Sequence, residues 1–141
     1  ILVPIGGGGL IAGSALAAKY FGDNCSVIGT EPFEVDDAYR SLISGKIETN
    51  ITTNTIADGL RTQLGDKNFP IILNEVKEII RITEDEIIDS MKLIWQRLKI
   101  ICEPSCSLPL AGVLKNKHKF KGKKIGIVIT GGNIDLDNLP L

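Results

Sequence analysis

The chain has 141 residues, 43% hydrophobic and 23% charged, the balance of one ordinary globular domain able to bury a core. A net charge of -1 gives no electrostatic case for nucleic acid or an anionic membrane surface as partner. No apolar run approaches the length of a membrane span, and the opening Ile-Leu-Val-Pro-Ile is too short for a secretory signal. Because the chain lacks a starting Met and opens inside a predicted strand, it reads as a single partial domain, residues 1–141, of a longer protein. Cys25, Cys102 and Cys106 cannot all pair internally and show no zinc-type spacing, which favours a reducing, cytoplasmic setting.

In chain order, Ile1 to Ile5 reads as a short buried strand running into glycines, and Leu10 to Tyr20 as a helix whose small residues let it lie close on a sheet. Cys25 to Thr30 is a second strand, followed by a helix from about Val35 to Ile43. Lys46 to Thr55 is rich in Thr and Asn without helical period and reads as an irregular crossing. Phe69 to Ile79 has helical period, and Ile80 to Thr83 reads as a short strand. Thr83 with Glu86 three residues on has the form of a capping box, and the helix it starts carries Ile87, Met91, Ile94, Trp95 and Leu98 as a buried stripe. Pro104 stops that region, and Leu108 to Leu114 forms another helix. Lys115 to Lys124 reads as a solvated surface turn with His118 in water, and Lys124 to Thr130 as the clearest buried strand. Alternating strands and helices predict an α/β fold around a mostly parallel sheet.

A strand that runs into glycines and then a helix suits phosphate, because successive N–H groups converge and the helix N-terminus adds partial positive charge. Gly7-x-Gly9-x-x-Ala12 also satisfies the relaxed dinucleotide fingerprint, with Glu31 placed as a ribose-binding acid, so a Rossmann-type oxidoreductase domain competes. A glycine turn without ligand is the third reading. Four consecutive glycines make a cup for one phosphate rather than two, and Glu31 is followed by Pro32 and by Asp36 and Asp37. A second glycine turn, Thr130-Gly131-Gly132-Asn133, also ends a predicted strand and can line the same crevice.

The ordered set GGGGLIAG, GTEP-x-x-x-DDAYRS, TIADGLRT, TEDEI, IWQRLK with EPS, and ITGGNIDL resembles the serine racemase and serine/threonine dehydratase family, fold-type II of the pyridoxal-phosphate enzymes. The resemblance runs from end to end of the chain but covers only the C-terminal portion of such an enzyme, within its three-layer cofactor-binding domain. The ADGLRT and EPS segments look closer to serine racemases and hydroxyaspartate ammonia-lyases than to biosynthetic threonine deaminases.

The resemblance implies that Gly6, Gly7, Gly8 and Gly9 bind the cofactor phosphate, with Leu10 opening the helix behind them, and that Thr130 places a hydroxyl against the pyridine nitrogen. It implies a Mg²⁺ site (or Ca²⁺ or Mn²⁺) at Glu31, Asp37 and the main-chain carbonyl of Val35. Lys99 and Asn133 match positions that contact a nucleotide effector, ATP, in serine racemases. Asp58, Gly59 and Glu103 are candidates to line the active site. The plainer alternatives are a helix-dipole role for Asp36 or Asp37, a cap for Glu103, and simple burial for Cys102 and Cys106. The implied partner is a small amino-acid substrate, and the implied whole enzyme a homodimer. The family's cofactor-bearing lysine and its substrate-carboxylate loop belong to the N-terminal portion, and none of this chain's lysines stands in that lysine's motif. No catalytic lysine is therefore assigned.

Overall fold

The computed structural model describes residues 1–139. Its elements are β1 (Leu2–Pro4), α1 (Gly9–Phe21), β2 (Val27–Pro32), α2 (Asp37–Ser44), α3 (Phe69–Glu75), β3 (Val76–Ile82), α4 (Glu84–Leu98), α5 (Pro104–Lys115) and α6 (Lys117–Phe120), with 3-10 turns at Asp58–Leu60 and Leu136–Asn138. The strands form a parallel sheet in the order β1-β2-β3, with Leu2 opposite Ile28 and Glu31 opposite Arg81.

Successive strand side chains point to opposite faces, and here the apolar residues of both faces are buried under helices. Val3, Val27 and Ile79 enter one core with Ile11, Ala12 and Ala15 of α1 and Ile72 of α3. Leu2, Ile28 and Ile80 enter the other with Ile87 of α4 and Leu108 and Ala111 of α5. Helices, sheet and helices therefore form the three layers expected of an α/β domain. Among the described residues no helix is long and apolar enough to cross a membrane.

Several expected boundaries are corrected. Phe69 to Ile79 is not one helix: α3 ends at Glu75, and β3 starts at Val76 rather than Ile80. The β-branched Val76, Ile79 and Ile80 fit a strand buried on both faces, and pairing with β2 overrides the short helical period. The Thr83 box forms as expected, with Thr83 N donating to Glu86 Oε2 (2.9 Å) and Glu86 N donating to Thr83 Oγ1 (3.4 Å). Of the α4 stripe, Ile87, Met91 and Ile94 are buried. Trp95 is half-buried, its Nε1 donating to the Cys102 carbonyl, and Leu98 is 57% exposed where the last turn passes the edge of the core. α4 stops at Lys99, whose φ is 58°, while Pro104 opens α5 at a position where its missing N–H has no helical partner to lose.

Lys115 to Lys124 is more ordered than a solvated turn, since α6 forms, Lys115 pairs with Glu86, and Lys119 pairs with Glu78. His118 stays exposed. The largest correction concerns Lys124 to Thr130. This segment runs beside β1, with Leu2 N donating to Gly126 O (2.8 Å) and Val128 N to Leu2 O (3.2 Å), yet it forms only a single bridge, Leu2 with Ile127. Among the described residues no strand borders its far edge, so Ile125 and Ile129 remain 38% and 39% exposed.

Candidate functional site

In open α/β sheets, ligands bind outside the carboxyl ends of the strands. β1 delivers Gly6 to Gly9 to that end, and α1 starts at Gly9 with no acidic side chain in its first turn. Gly8 sits at φ 85°, and a Cβ there would lie 2.7 Å from Leu64 Cδ1 and 2.9 Å from Ile72 Cδ1, so the turn requires glycine. The carbonyl of Gly7 is clasped by Gly65 N (3.0 Å) and Asn68 Nδ2 (2.7 Å), which fixes the loop from its outer side. Among the described residues the N–H groups of Gly6, Gly7 and Gly8 meet no acceptor, and the first N–H groups of a helix have none by construction. The loop thus presents donors without acceptors beside a positive helix end, an arrangement that fits a phosphate dianion.

The cleft in front of the loop holds about 270 Å³ and brings together the four glycines, Leu10, Gly59, Glu103 and Thr130. A larger hollow of about 440 Å³ between α4 and α5, rimmed by Glu86, Asp89, Lys92 and Lys115, includes none of the loop glycines. Glu103 is the N-cap residue of α5, but its side chain makes no capping hydrogen bond. Its Oε2 accepts from Asn133 N (3.1 Å), and its own N–H donates to Gly131 O (3.1 Å), tying the second glycine turn to the α5 start. Gly59 N donates to Asp58 Oδ1 (2.9 Å) and Ser105 Oγ (3.1 Å). Ser105, which lines the cleft, is not singled out by the sequence; the available signal is a small hydroxyl directly after Glu103-Pro104. Asp58 and Asn133 share an adjoining cleft of about 360 Å³ with Arg61. Lys99 caps α4, exposed, and lines neither cleft, so the two expected nucleotide contacts are not brought together. Cys102 and Cys106 are fully buried, as expected. The Cys106 thiol donates to Gly131 O (3.2 Å).

A second polar cluster forms where β2 meets α2. Glu31 and Asp37 are each 1% exposed. Glu31 accepts from Ala38 N (3.1 Å) and Tyr39 N (2.9 Å), so it is occupied inside the fold and does not reach a ribose as the dinucleotide reading requires. Asp37 Oδ2 accepts from Leu64 N (2.7 Å), whereas Oδ1 is buried without a partner. α2 begins at Asp37, leaving Val35 in the turn before it with a carbonyl that accepts no hydrogen bond among the described residues. Burial lifts the Glu31 carboxyl well above the usual carboxylate range, with the Asp37 charge adding to it, and burial lifts Asp37 as well. Two buried carboxylates, one orphaned oxygen and a free carbonyl fit a hard cation that takes oxygen ligands and keeps waters. Among the described residues no three His, Cys, Asp or Glu side chains form a metal cage, so the carbonyl and waters would have to complete such a shell. Asp36 is engaged elsewhere. It gives α2 no side-chain cap and pairs instead with Arg40 (2.8 Å) and Arg81 (3.0 Å).

Comparison with known proteins identifies the family and the fold. The family model described as pyridoxal-phosphate dependent enzyme matches residues 1–131. The chain is 46% identical over 140 residues to beta-hydroxyaspartate dehydratase of Paracoccus denitrificans (strain Pd 1222), covering 99% of this chain and 44% of that protein. The fold superposes on the crystal structure of serine racemase from Dictyostelium discoideum with TM-score 0.89 and 49% identity, covering 96% of this chain and 44% of that one. Maize serine racemase gives TM-score 0.91 and 42% identity, with 96% and 43% covered. The chain therefore spans under half the length of these relatives.

Proposed function

The chain belongs to the pyridoxal-phosphate dependent enzymes, and from that premise we propose that it is the C-terminal part, a single partial domain, of a serine/threonine dehydratase or serine racemase. The complete enzyme would remove water from a small L-hydroxy-amino acid to give a 2-oxo acid and ammonia, or interconvert the enantiomers of serine. The observation that carries this reading is the Gly6–Gly9 loop, rich in unpaired N–H groups, facing Thr130 and Glu103 across one cleft.

Bound there, pyridoxal phosphate supplies the electron sink that lets bonds at the α-carbon of an amino acid break. Gly6, Gly7, Gly8 and Gly9 would hold its phosphate by backbone donation, with the N-terminus of α1 and Leu10 behind them. Thr130 would meet the ring nitrogen with a neutral hydroxyl, which does not keep that nitrogen protonated as a carboxylate does. Glu103, bonded to Asn133 N and Gly131 O, ties the second glycine turn to the start of α5, and Gly59 with Asp58 and Ser105 would border the substrate side. Glu31, Asp37 and the Val35 carbonyl would hold Mg²⁺, Ca²⁺ or Mn²⁺ as a structural ion, supported by the orphaned Asp37 Oδ1. Lys99 and Asn133 would contact an ATP effector, and the complete enzyme would be a cytoplasmic homodimer.

The test is to give the complete protein L-serine, L-threonine and 3-hydroxyaspartate, following 2-oxo acid formation and the chirality of recovered serine. Turnover of at least one is expected. Neither elimination nor racemisation with any of them contradicts the reading.

A further inference from the structure

Arg81 has no place in the chemistry described above, yet few side chains are held from so many sides. Its guanidinium stacks 4.4 Å from the Phe33 ring and 4.3 Å from the Tyr39 ring, while Nη1 donates to Asp36 Oδ2 at 3.0 Å. The other oxygen of Asp36 accepts from Arg40 Nε at 2.8 Å, and Arg40 Nη2 donates to Thr49 O at 2.7 Å. The backbone repeats the connection, since Phe33 N donates to Ile82 O at 2.8 Å. Phe33, Asp36 and Tyr39 bracket the segment that carries the Val35 carbonyl and Asp37, and Tyr39 N is one of the donors to Glu31. Planarity is what lets arginine stack on two rings while also donating to a carboxylate, and a lysine ammonium cannot do all of this.

The geometry points to Arg81 as a positioning residue for the oxygen cluster of Glu31, Val35 and Asp37, stapling the turn between β2 and α2 to the end of β3 so that the cluster holds a divalent cation in the right shape. This rests on the cation reading proposed above and extends it to a residue outside the cluster. Two physical effects of removing Arg81 have opposite signs. Coulomb's law alone says that losing a positive charge near a cation site tightens cation binding. Loss of positioning loosens the oxygens and weakens it, and partners that orient metal ligands are typically worth tenfold or more in metal affinity.

The experiment is a Mg²⁺ titration of thermal stability, starting from chelator-treated full-length protein, for wild type, Arg81→Met and Arg81→Lys. The half-saturating Mg²⁺ concentration is expected to rise about tenfold in Arg81→Met. In Arg81→Lys, which keeps the charge but loses the planar stack, it should rise by a smaller factor. A merely structural role would lower the metal-free unfolding temperature and leave the half-saturating concentration unchanged, and that result overturns the proposal. Tighter Mg²⁺ binding in Arg81→Met overturns it too, because electrostatics would then outweigh positioning. Should Arg81→Met fail to fold, Arg81→Lys decides by the same criterion. Should wild type itself not respond to Mg²⁺, Ca²⁺ or Mn²⁺, the cation reading falls, and this inference with it.

Discussion

Glu31 and Glu86 are the same residue type in opposite circumstances. Glu86 lies in the first turn of α4, where partial burial is outweighed by the Thr83 N–H and the Lys115 ammonium, which hold its carboxyl below the usual range. Glu31 lies at the end of a buried strand beside a second buried carboxylate, and burial lifts it well above that range. The first cluster is electrically complete within the protein. The second carries an excess of buried oxygen with no protein cation against it, since the nearby guanidiniums of Arg40 and Arg81 are spent on Asp36. A buried group left unpaired signals something the fold expects to receive, whereas a paired one signals only stability.

The largest effect that sharpens this contrast is the response to pH without metal. Glu31 and Asp37 have folded values above their unfolded ones, so their contribution is fully present below the unfolded value and is lost as pH rises through the folded value. In chelator, stability should therefore fall as pH rises out of the ordinary carboxylate range, and a divalent cation should reverse the fall. At a hundredfold excess over its dissociation constant the cation is worth about 2.7 kcal/mol. Glu86 has the opposite sign: its contribution is present above the unfolded value and is lost as pH falls through the lowered folded value. Thermal unfolding from acid to neutral pH, with chelator and with Mg²⁺, reads both limbs at once.

Next in size is Asp37→Asn. Its carbonyl can keep the Leu64 N–H while its amide replaces the orphaned oxygen, so the metal-free protein should be no less stable than wild type at neutral pH. The cation response should disappear. A retained Mg²⁺ shift in this variant would break the contrast between the two clusters. Thr83→Ala acts on the complete cluster and should lower stability by about 1 kcal/mol, equally with and without Mg²⁺, as denaturant unfolding would show. Smallest of all is Lys115→Met, which removes a half-exposed ion pair worth at most about 1 kcal/mol and should change the salt dependence of stability more than its value.

Features written in adjacent residues are legible in the sequence. The glycine cup and the Thr83-x-x-Glu86 box depend on local backbone geometry and form where expected, while the strand-helix alternation holds as a pattern but not at every boundary. What escapes depends on contacts between distant segments. The Asn68 clasp on Gly7 and the Arg81 stack on Phe33 and Tyr39 join residues many positions apart, with no periodicity to announce them. The start of β3 is hidden because a short apolar run satisfies both periods until a neighbouring strand chooses between them. Lys124 to Thr130 departs from expectation for the converse reason: its composition is that of a central strand, but among the described residues no strand lies along its edge away from β1. The acidic group at Glu31, Asp36 and Asp37 is visible as a cluster, whereas the division of labour that pairs Asp36 and leaves Asp37 Oδ1 open emerges only from the packing.

The most direct measurement is ligand binding by the complete protein, comparing pyridoxal phosphate with a nicotinamide dinucleotide by absorption spectroscopy and calorimetry. The expected result is stoichiometric binding of pyridoxal phosphate with its characteristic visible or near-ultraviolet band, lost when Gly8→Ala distorts the loop, and no binding of the dinucleotide. Tight dinucleotide binding with no uptake of pyridoxal phosphate would contradict it.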